Sequence, residues 1–143
     1  MIKYLDYSIV LKEHPEYVSL AFRITNCPLR CLGCHSPELQ QDIGKELTCS
    51  KLRKTIICYR GMIENVIFMG GDHTNDLIDL LKACKTFNLK TTLWTGAEKV
   101  KPIFLKWLDF TKTGAYNSSL GGLDSPTTNQ KYIEVRTGRI IKI

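Results

Sequence analysis

The sequence predicts an α/β fold, an open partial (β/α) barrel with β extensions at its N- and C-terminal ends. Three observations predict it. Between about residues 48 and 111, amphipathic helical stretches and short apolar runs alternate three times, which implies parallel strands joined by right-handed crossovers. A closed eight-unit barrel takes roughly 250 residues, so 143 residues hold only about half of one. β-rich segments flank the alternating part on both sides. With no repeat, low-complexity tract or linker in the chain, residues 1–143 read as a single domain.

The elements follow in order. Lys3 to Lys12 and Tyr17 to Thr25 are β-rich and separated by His14-Pro15-Glu16, predicting a hairpin whose second arm is a core strand. Thr48 or Ser50 caps a helix through about Tyr59, with Leu52, Ile56 and Ile57 at helical spacing. Asn65-Val66-Ile67-Phe68-Met69 is a continuous apolar run of the kind found in buried parallel strands, and it ends in Gly70-Gly71. A second helix starts at Asp72 to Thr74, turns Leu77, Ile78, Leu80, Leu81 and Cys84 inward and ends near Asn88. Lys90 to Thr95 is the next strand, followed by a short helix around Val100 to Lys106 and a strand from Leu108 to Thr111. Tyr132 to Val135 and Arg139 to Ile143, around Thr137-Gly138, predict a terminal hairpin covering a sheet edge.

Composition narrows the class. No stretch approaches the length of a membrane-spanning helix, and the start Met1-Ile2-Lys3-Tyr4-Leu5-Asp6 lacks a secretory signal, so a cytoplasmic protein with no membrane partner is expected. Six cysteines in a reducing compartment favour metal ligation or thiols over disulfides. The net charge of +6 admits nucleic acid or an acidic protein. The basic residues are scattered, as in Lys51, Arg53, Lys54 and Arg60, without a basic arm or interleaved aromatics, which disfavours nucleic acid. A solvated face or docking to an acidic partner remain as readings.

The chemistry concentrates in Asn26-Cys27-Pro28-Leu29-Arg30-Cys31-Leu32-Gly33-Cys34-His35. Three thiolates spaced three and then two residues apart can wrap one metal centre, and soft sulfur favours zinc or iron–sulfur clusters. A structural zinc wants a fourth ligand; His35 and Cys49 are the candidates, one adjacent to Cys34 and the other fifteen residues on. A cubane cluster on three cysteines instead keeps one iron open for a substrate or cofactor, and simple burial of three thiols is the third reading. Cys49, Cys58 and Cys84 fall at no ligand spacing and read as packing residues.

The cysteine run resembles the cluster loop of the radical S-adenosylmethionine enzymes. That resemblance implies a 4Fe-4S cluster held by Cys27, Cys31 and Cys34, its open iron chelated by S-adenosylmethionine, in a partial barrel of the radical S-adenosylmethionine type. Met69-Gly70-Gly71-Asp72, at the end of a predicted parallel strand where α/β sheets place ligands, is similar to the superfamily's glycine-glycine-acidic motif. There Gly70, Gly71 and Asp72 would receive the cofactor's ammonium group, the glycines sparing it a blocking side chain. The resemblance adds His35 and, from Leu93-Trp94-Thr95-Gly96, Thr95 and Gly96 as cofactor-lining residues; a plain strand-to-helix turn is the other reading of the latter two.

Gly114-Ala115-Tyr116 and the polar run Gly121 to Gln130 look like the corresponding segment of anaerobic ribonucleoside-triphosphate reductase activating proteins. The implied activity is glycyl-radical activation: an external one-electron reductant drives cleavage of S-adenosylmethionine, and the 5′-deoxyadenosyl radical takes a hydrogen atom from a glycine of the reductase's large catalytic subunit. Gly121 to Gln130 is expected to handle that subunit. A small-molecule radical S-adenosylmethionine enzyme and a zinc-stabilised nucleic-acid-binding module are the rival readings. His14 and His73 are expected at the surface or in caps, and neither they nor Asp124 is given a catalytic role.

Overall fold

A computed structural model describes residues 1–28 and 37–143. Seven strands form one open sheet: β1 (Lys3–Val10), β2 (Ser19–Ile24), β3 (Lys45–Glu46), β4 (Asn65–Met69), β5 (Lys90–Trp94), β6 (Phe110–Thr113) and β7 (Lys131–Glu134). Their order is β3-β1-β2-β4-β5-β6-β7. The central strands β2, β4, β5 and β6 are mutually parallel, whereas β1, β3 and β7 pair antiparallel at the flanks. The connections carry α1 (Cys49–Cys58), α2 (Leu77–Thr86) and α3 (Pro102–Leu105).

The two faces of the sheet differ. Phe22, Ile24, Phe68 and Leu93 alternate onto one face and pack against Leu52, Ile56, Leu77 and Leu81 from the helices, so that face forms the main core. On the other face Phe110 and Tyr132 make a smaller cluster with Tyr17, Trp94 and Leu123. Deep on that face Asn65 donates to Ser19 Oγ and accepts from Thr92 Oγ1, both at 3.0 Å. This ladder satisfies buried polar groups on three neighbouring strands and so fixes their register.

Several elements depart from expectation for identifiable reasons. Thr48 caps α1 by accepting from the Lys51 N–H at 3.0 Å, but Ile57 is 56% exposed, because Leu52, Thr55 and Ile56 define the buried face. Helix α2 starts at Leu77, not at Asp72 to Thr74: consecutive glycines with φ of +108° and +103° cannot feed a right-handed helix, and residues 72–76 make turns first. Strand β6 begins at Phe110, two residues later than expected, after the Pro102-initiated α3 turn. The terminal hairpin forms in shortened form: Glu134 N–H donates to the Arg139 carbonyl and Ile141 N–H to the Tyr132 carbonyl, both at 2.9 Å, around the Ile133–Ile140 bridge, and the second arm is too short to count as a strand. Cys84 is fully buried, which drives its thiol pKa far up, while Cys49 packs partly against the core and Cys58, expected to pack, is exposed.

His14 reverses its expectation most clearly. It is fully buried, edge-on to Phe110 at 4.2 Å between ring centroids and beside Tyr17 and Tyr132. The Tyr132 hydroxyl donates to the Glu13 carbonyl at 2.9 Å, which ties the β1–β2 connection to β7; burial pushes that phenol up to about 12. Desolvation lowers the His14 pKa, so its imidazole is neutral in the fold.

Candidate cofactor site

Strand β2 delivers the chain to Cys27, and the two arms of the cysteine loop are clamped at their base. The Cys27 N–H donates to the Leu39 carbonyl at 2.8 Å and the Asn26 N–H to the Gln41 carbonyl at 3.1 Å. Asn26 sits in the left-handed region, φ 63°, and its side-chain amide donates to Asp42 at 3.1 Å. The Thr25 hydroxyl bonds the Ile43 carbonyl at 2.7 Å. Arg23 then joins the returning arm to the sheet, its guanidinium bonding Asp6 at 2.7 Å and Glu38 at 3.2 Å. The hydrogen bond from Arg23 is the main reason the Asp6 carboxyl lies below its ordinary range. Cys27 is half-buried at the mouth of this clamp. Cys31, Cys34 and His35 lie outside the described residues.

Beside the clamp, β4 ends in the glycine pair. The Gly70 N–H donates to the Trp94 carbonyl at 2.8 Å, and both glycines have positive φ. A β-carbon on Gly70 would meet Ile24 at 3.4 Å and one on Gly71 would meet Leu77 at 3.4 Å. Backbone conformation alone therefore favours glycine at both positions, and an added β-carbon would stand in van der Waals contact with Ile24 or Leu77. Asp72, half-buried, accepts from the Thr95 hydroxyl at 2.8 Å, and Thr95 Oγ1 in turn accepts from the Ala97 N–H at 3.1 Å. The relay holds the Thr95 hydroxyl between Ala97 and Asp72 and ties Asp72 to the end of β5.

Gly70, Gly71, Asp72, Thr95 and Gly96 meet Cys27 around one cavity of about 290 Å³, at the C-terminal ends of β2, β4 and β5. Ile24, Leu39, Met69 and Trp94 supply apolar wall, and exposed His73 reaches the rim. The cavity opens past Leu39, Met69 and Trp94 into a wider cleft of about 510 Å³ bordered by Lys112, Tyr116, Leu123 and Asp124.

Sequence reasoning missed Lys112. It occupies β6 opposite Trp94 in register, with its ammonium 4.3 Å from that ring's centroid. It forms no ion pair among the described residues, and desolvation lowers its pKa. The aromatic face it stacks on offsets part of the desolvation of this half-buried cation. Its lysine lies in a strand-end run, Phe110-Thr111-Lys112-Thr113-Gly114, and that position was the available signal.

The segment from Gly121 to Gln130 borders the outer cleft through Gly122, Leu123, Asp124 and Gln130. It is pinned by side chains: Ser125 Oγ and Thr127 Oγ1 donate to the Leu120 carbonyl at 2.8 and 2.6 Å. Asn129 and Gln130 amides reach back to the Ala115 and Gly114 carbonyls at 3.1 and 3.2 Å. Asp124 is exposed on the cleft side.

The family model described as a 4Fe-4S single cluster domain matches residues 17–123, and the chain belongs to that family. The match spans both the cysteine run and the strand-end motifs. No curated protein matched the chain, and neither did any solved structure.

Proposed function

We propose that this iron–sulfur protein is a radical S-adenosylmethionine activase of the anaerobic ribonucleoside-triphosphate reductase type. One observation carries the reading: in a chain of a 4Fe-4S family, the first cysteine of a three-cysteine run shares a cavity with Gly70, Gly71, Asp72 and Thr95 at parallel strand ends. The residues suit the cofactors. A half-buried thiol beside a clamped loop fits one thiolate ligand of a cluster completed by Cys31 and Cys34. Backbone carbonyls at the glycine turn and the oriented Asp72 carboxylate fit an ammonium group, while Ile24, Met69 and Trp94 exclude water. His35 stays a proposed cofactor-lining residue from the sequence resemblance.

When bound, the cluster and S-adenosylmethionine supply one-electron reduction of a sulfonium and a carbon-centred radical. The chain's own residues orient and shield. Thr95 holds Asp72 toward the ammonium, and Lys112, in the outer cleft against Trp94, suits the cofactor's carboxylate. The outer cleft leaves room for a glycine-bearing loop of the large reductase subunit, with Asp124 and Tyr116 on its border. The open sheet fits a partial barrel of the radical S-adenosylmethionine type, which would admit such a loop laterally. The external reductant acts from outside this cleft.

The test is anaerobic reconstitution with iron and sulfide, followed by reduction, S-adenosylmethionine and a class III reductase large subunit. A glycyl-radical doublet on the subunit, formed together with 5′-deoxyadenosine, is the expected outcome. Cofactor cleavage without any radical on the subunit would move the function to a small-molecule substrate. Bound zinc without acid-labile sulfide would overturn the radical reading.

A further inference from the structure

The arm that returns from the cysteine run toward β3 is held by charge more than by packing. None of residues 37–42 is buried: Glu38, Leu39 and Gln40 are half-buried, and Pro37, Gln41 and Asp42 are exposed. Two carboxylates on this arm reach cations on the first two strands instead. Glu38 accepts from the Arg23 guanidinium at 3.2 Å, and Asp42 accepts from the Lys3 ammonium at 2.8 Å and from the Asn26 amide at 3.1 Å.

Arg23 is fixed independently of the arm. Its guanidinium bonds both carboxylate oxygens of Asp6 on the neighbouring strand, at 2.7 and 2.5 Å, so little side-chain freedom is left to lose when Glu38 docks. A lone exposed ion pair contributes little. A guanidinium already forked onto one carboxylate, joined by a second bridge four residues further along the same arm, contributes more.

The arm reaches the site in two ways. Between the two bridges lie Leu39 and Gln41, whose carbonyls receive the Cys27 and Asn26 N–H groups at 2.8 and 3.1 Å. The Leu39 side chain also forms wall in both the inner cavity and the outer cleft. Arg23 and Lys3 line neither of them, so they act on the site only through the arm.

We propose that Arg23 and Lys3 are positioning residues: by docking Glu38 and Asp42 they seat the returning arm against Cys27 and thereby set how firmly the cluster is retained. The statement about retention rests on the reading that Cys27, Cys31 and Cys34 hold that cluster, whereas the docking of the arm does not. Both bridges are solvent-exposed, with side chains at 29% and 66% exposure in one and 34% and 42% in the other, so salt screens them. Retention of the cluster is therefore salt-sensitive.

The experiment compares the native protein with the variant E38Q/D42N, which removes both carboxylate charges and keeps side chains of the same shape that still accept hydrogen bonds. Amide hydrogen exchange at Asn26 and Cys27 is followed in the protein without cluster. Iron release to EDTA is followed in the anaerobically reconstituted protein. Each is measured at low and at high salt. The variant should exchange both amides about five- to tenfold faster at low salt, the scale of two linked surface bridges, and release iron faster by a similar factor. Exchange at Val66 to Phe68 in β4 should stay unchanged, which separates arm release from unfolding. High salt should raise both native rates toward those of the variant and leave the variant's own rates nearly flat. Equal Asn26 and Cys27 exchange in the two proteins overturns the proposal, and so does faster exchange with unaltered iron release. A native protein that takes up no iron and sulfide would strike the cluster reading instead, and the exchange measurement would still decide whether the bridges dock the arm.

Discussion

The inner cavity and the outer cleft are neighbours built by different means. The inner cavity is made from strand ends: β2 hands over to Cys27, β4 to the glycine pair and β5 to Thr95, so backbone conformation and one short relay define it. The outer cleft is made from a long connection without regular structure, held by Ser125, Thr127, Asn129 and Gln130 side chains bonding carbonyls. A site made of strand ends tolerates little change at a few positions. A site made of pinned loop spreads its stability over many hydrogen bonds of about 1 kcal/mol each.

The largest contrast is expected among the cysteines. Cys27→Ala should reduce cluster content and S-adenosylmethionine cleavage to background, measured as iron, acid-labile sulfide and 5′-deoxyadenosine. Cys84→Ser should leave the cluster in place and cost about 1–3 kcal/mol in denaturant unfolding, because a hydroxyl replaces a fully buried thiol. Exposed Cys58 should accept alanine without measurable loss.

Gly71→Ala comes next. With φ at +103° and the new β-carbon against Leu77 and Ile2, the variant should unfold about 1–3 kcal/mol more easily. Unchanged stability with weakened cofactor binding would point instead to a side chain that blocks the ligand's approach. Thr95→Val should lower stability slightly and weaken S-adenosylmethionine binding about tenfold, as expected for the loss of one hydrogen bond of about 1.5 kcal/mol to a charged group; Thr95→Ser should restore it. On the cleft side, Asn129→Ala removes the bond to Ala115 and should lower both thermal stability and radical yield on the partner subunit. Asp124→Ala, at an exposed site, should lower only the radical yield, by a few-fold.

Those effects also show how the sequence could be read. The strand Asn65–Met69 was legible to the residue, because a continuous apolar run closed by two glycines allows few other structures. That Gly70, Gly71, Asp72, Thr95 and Gly96 gather around one cavity was legible for the same reason, since strand ends fix where motifs meet, whereas His35 lies outside the described residues. Ile57 and His14 were not. Helical spacing cannot say which of two adjacent isoleucines faces a core, and nothing local to His14 records that Phe110 and Tyr132, about a hundred residues on, close over it. Lys112 was hidden likewise, because its meaning comes from Trp94 on the neighbouring strand.

The smallest effect is a pH dependence at His14. Its folded pKa lies below the unfolded value of 6.5 because burial disfavours the imidazolium; nearby Glu16 raises it and Arg139 lowers it, neither enough to reverse the sign. The unfolded chain therefore binds more protons below pH 6.5. The stability contributed by neutral His14 is fully present above that value and is lost as pH falls toward the folded pKa. Urea midpoints from pH 8 to pH 5 should show this slope in the native protein and a shallower one in His14→Gln.

The most direct test of the central claim, that Cys27 and the strand-end motifs form one cofactor site, is electron paramagnetic resonance of the reduced, reconstituted protein with and without S-adenosylmethionine. The account predicts a reduced 4Fe-4S signal whose g-values shift on cofactor addition, with Thr95→Val requiring about tenfold more cofactor for the same shift. A cluster signal unchanged at saturating S-adenosylmethionine would contradict it.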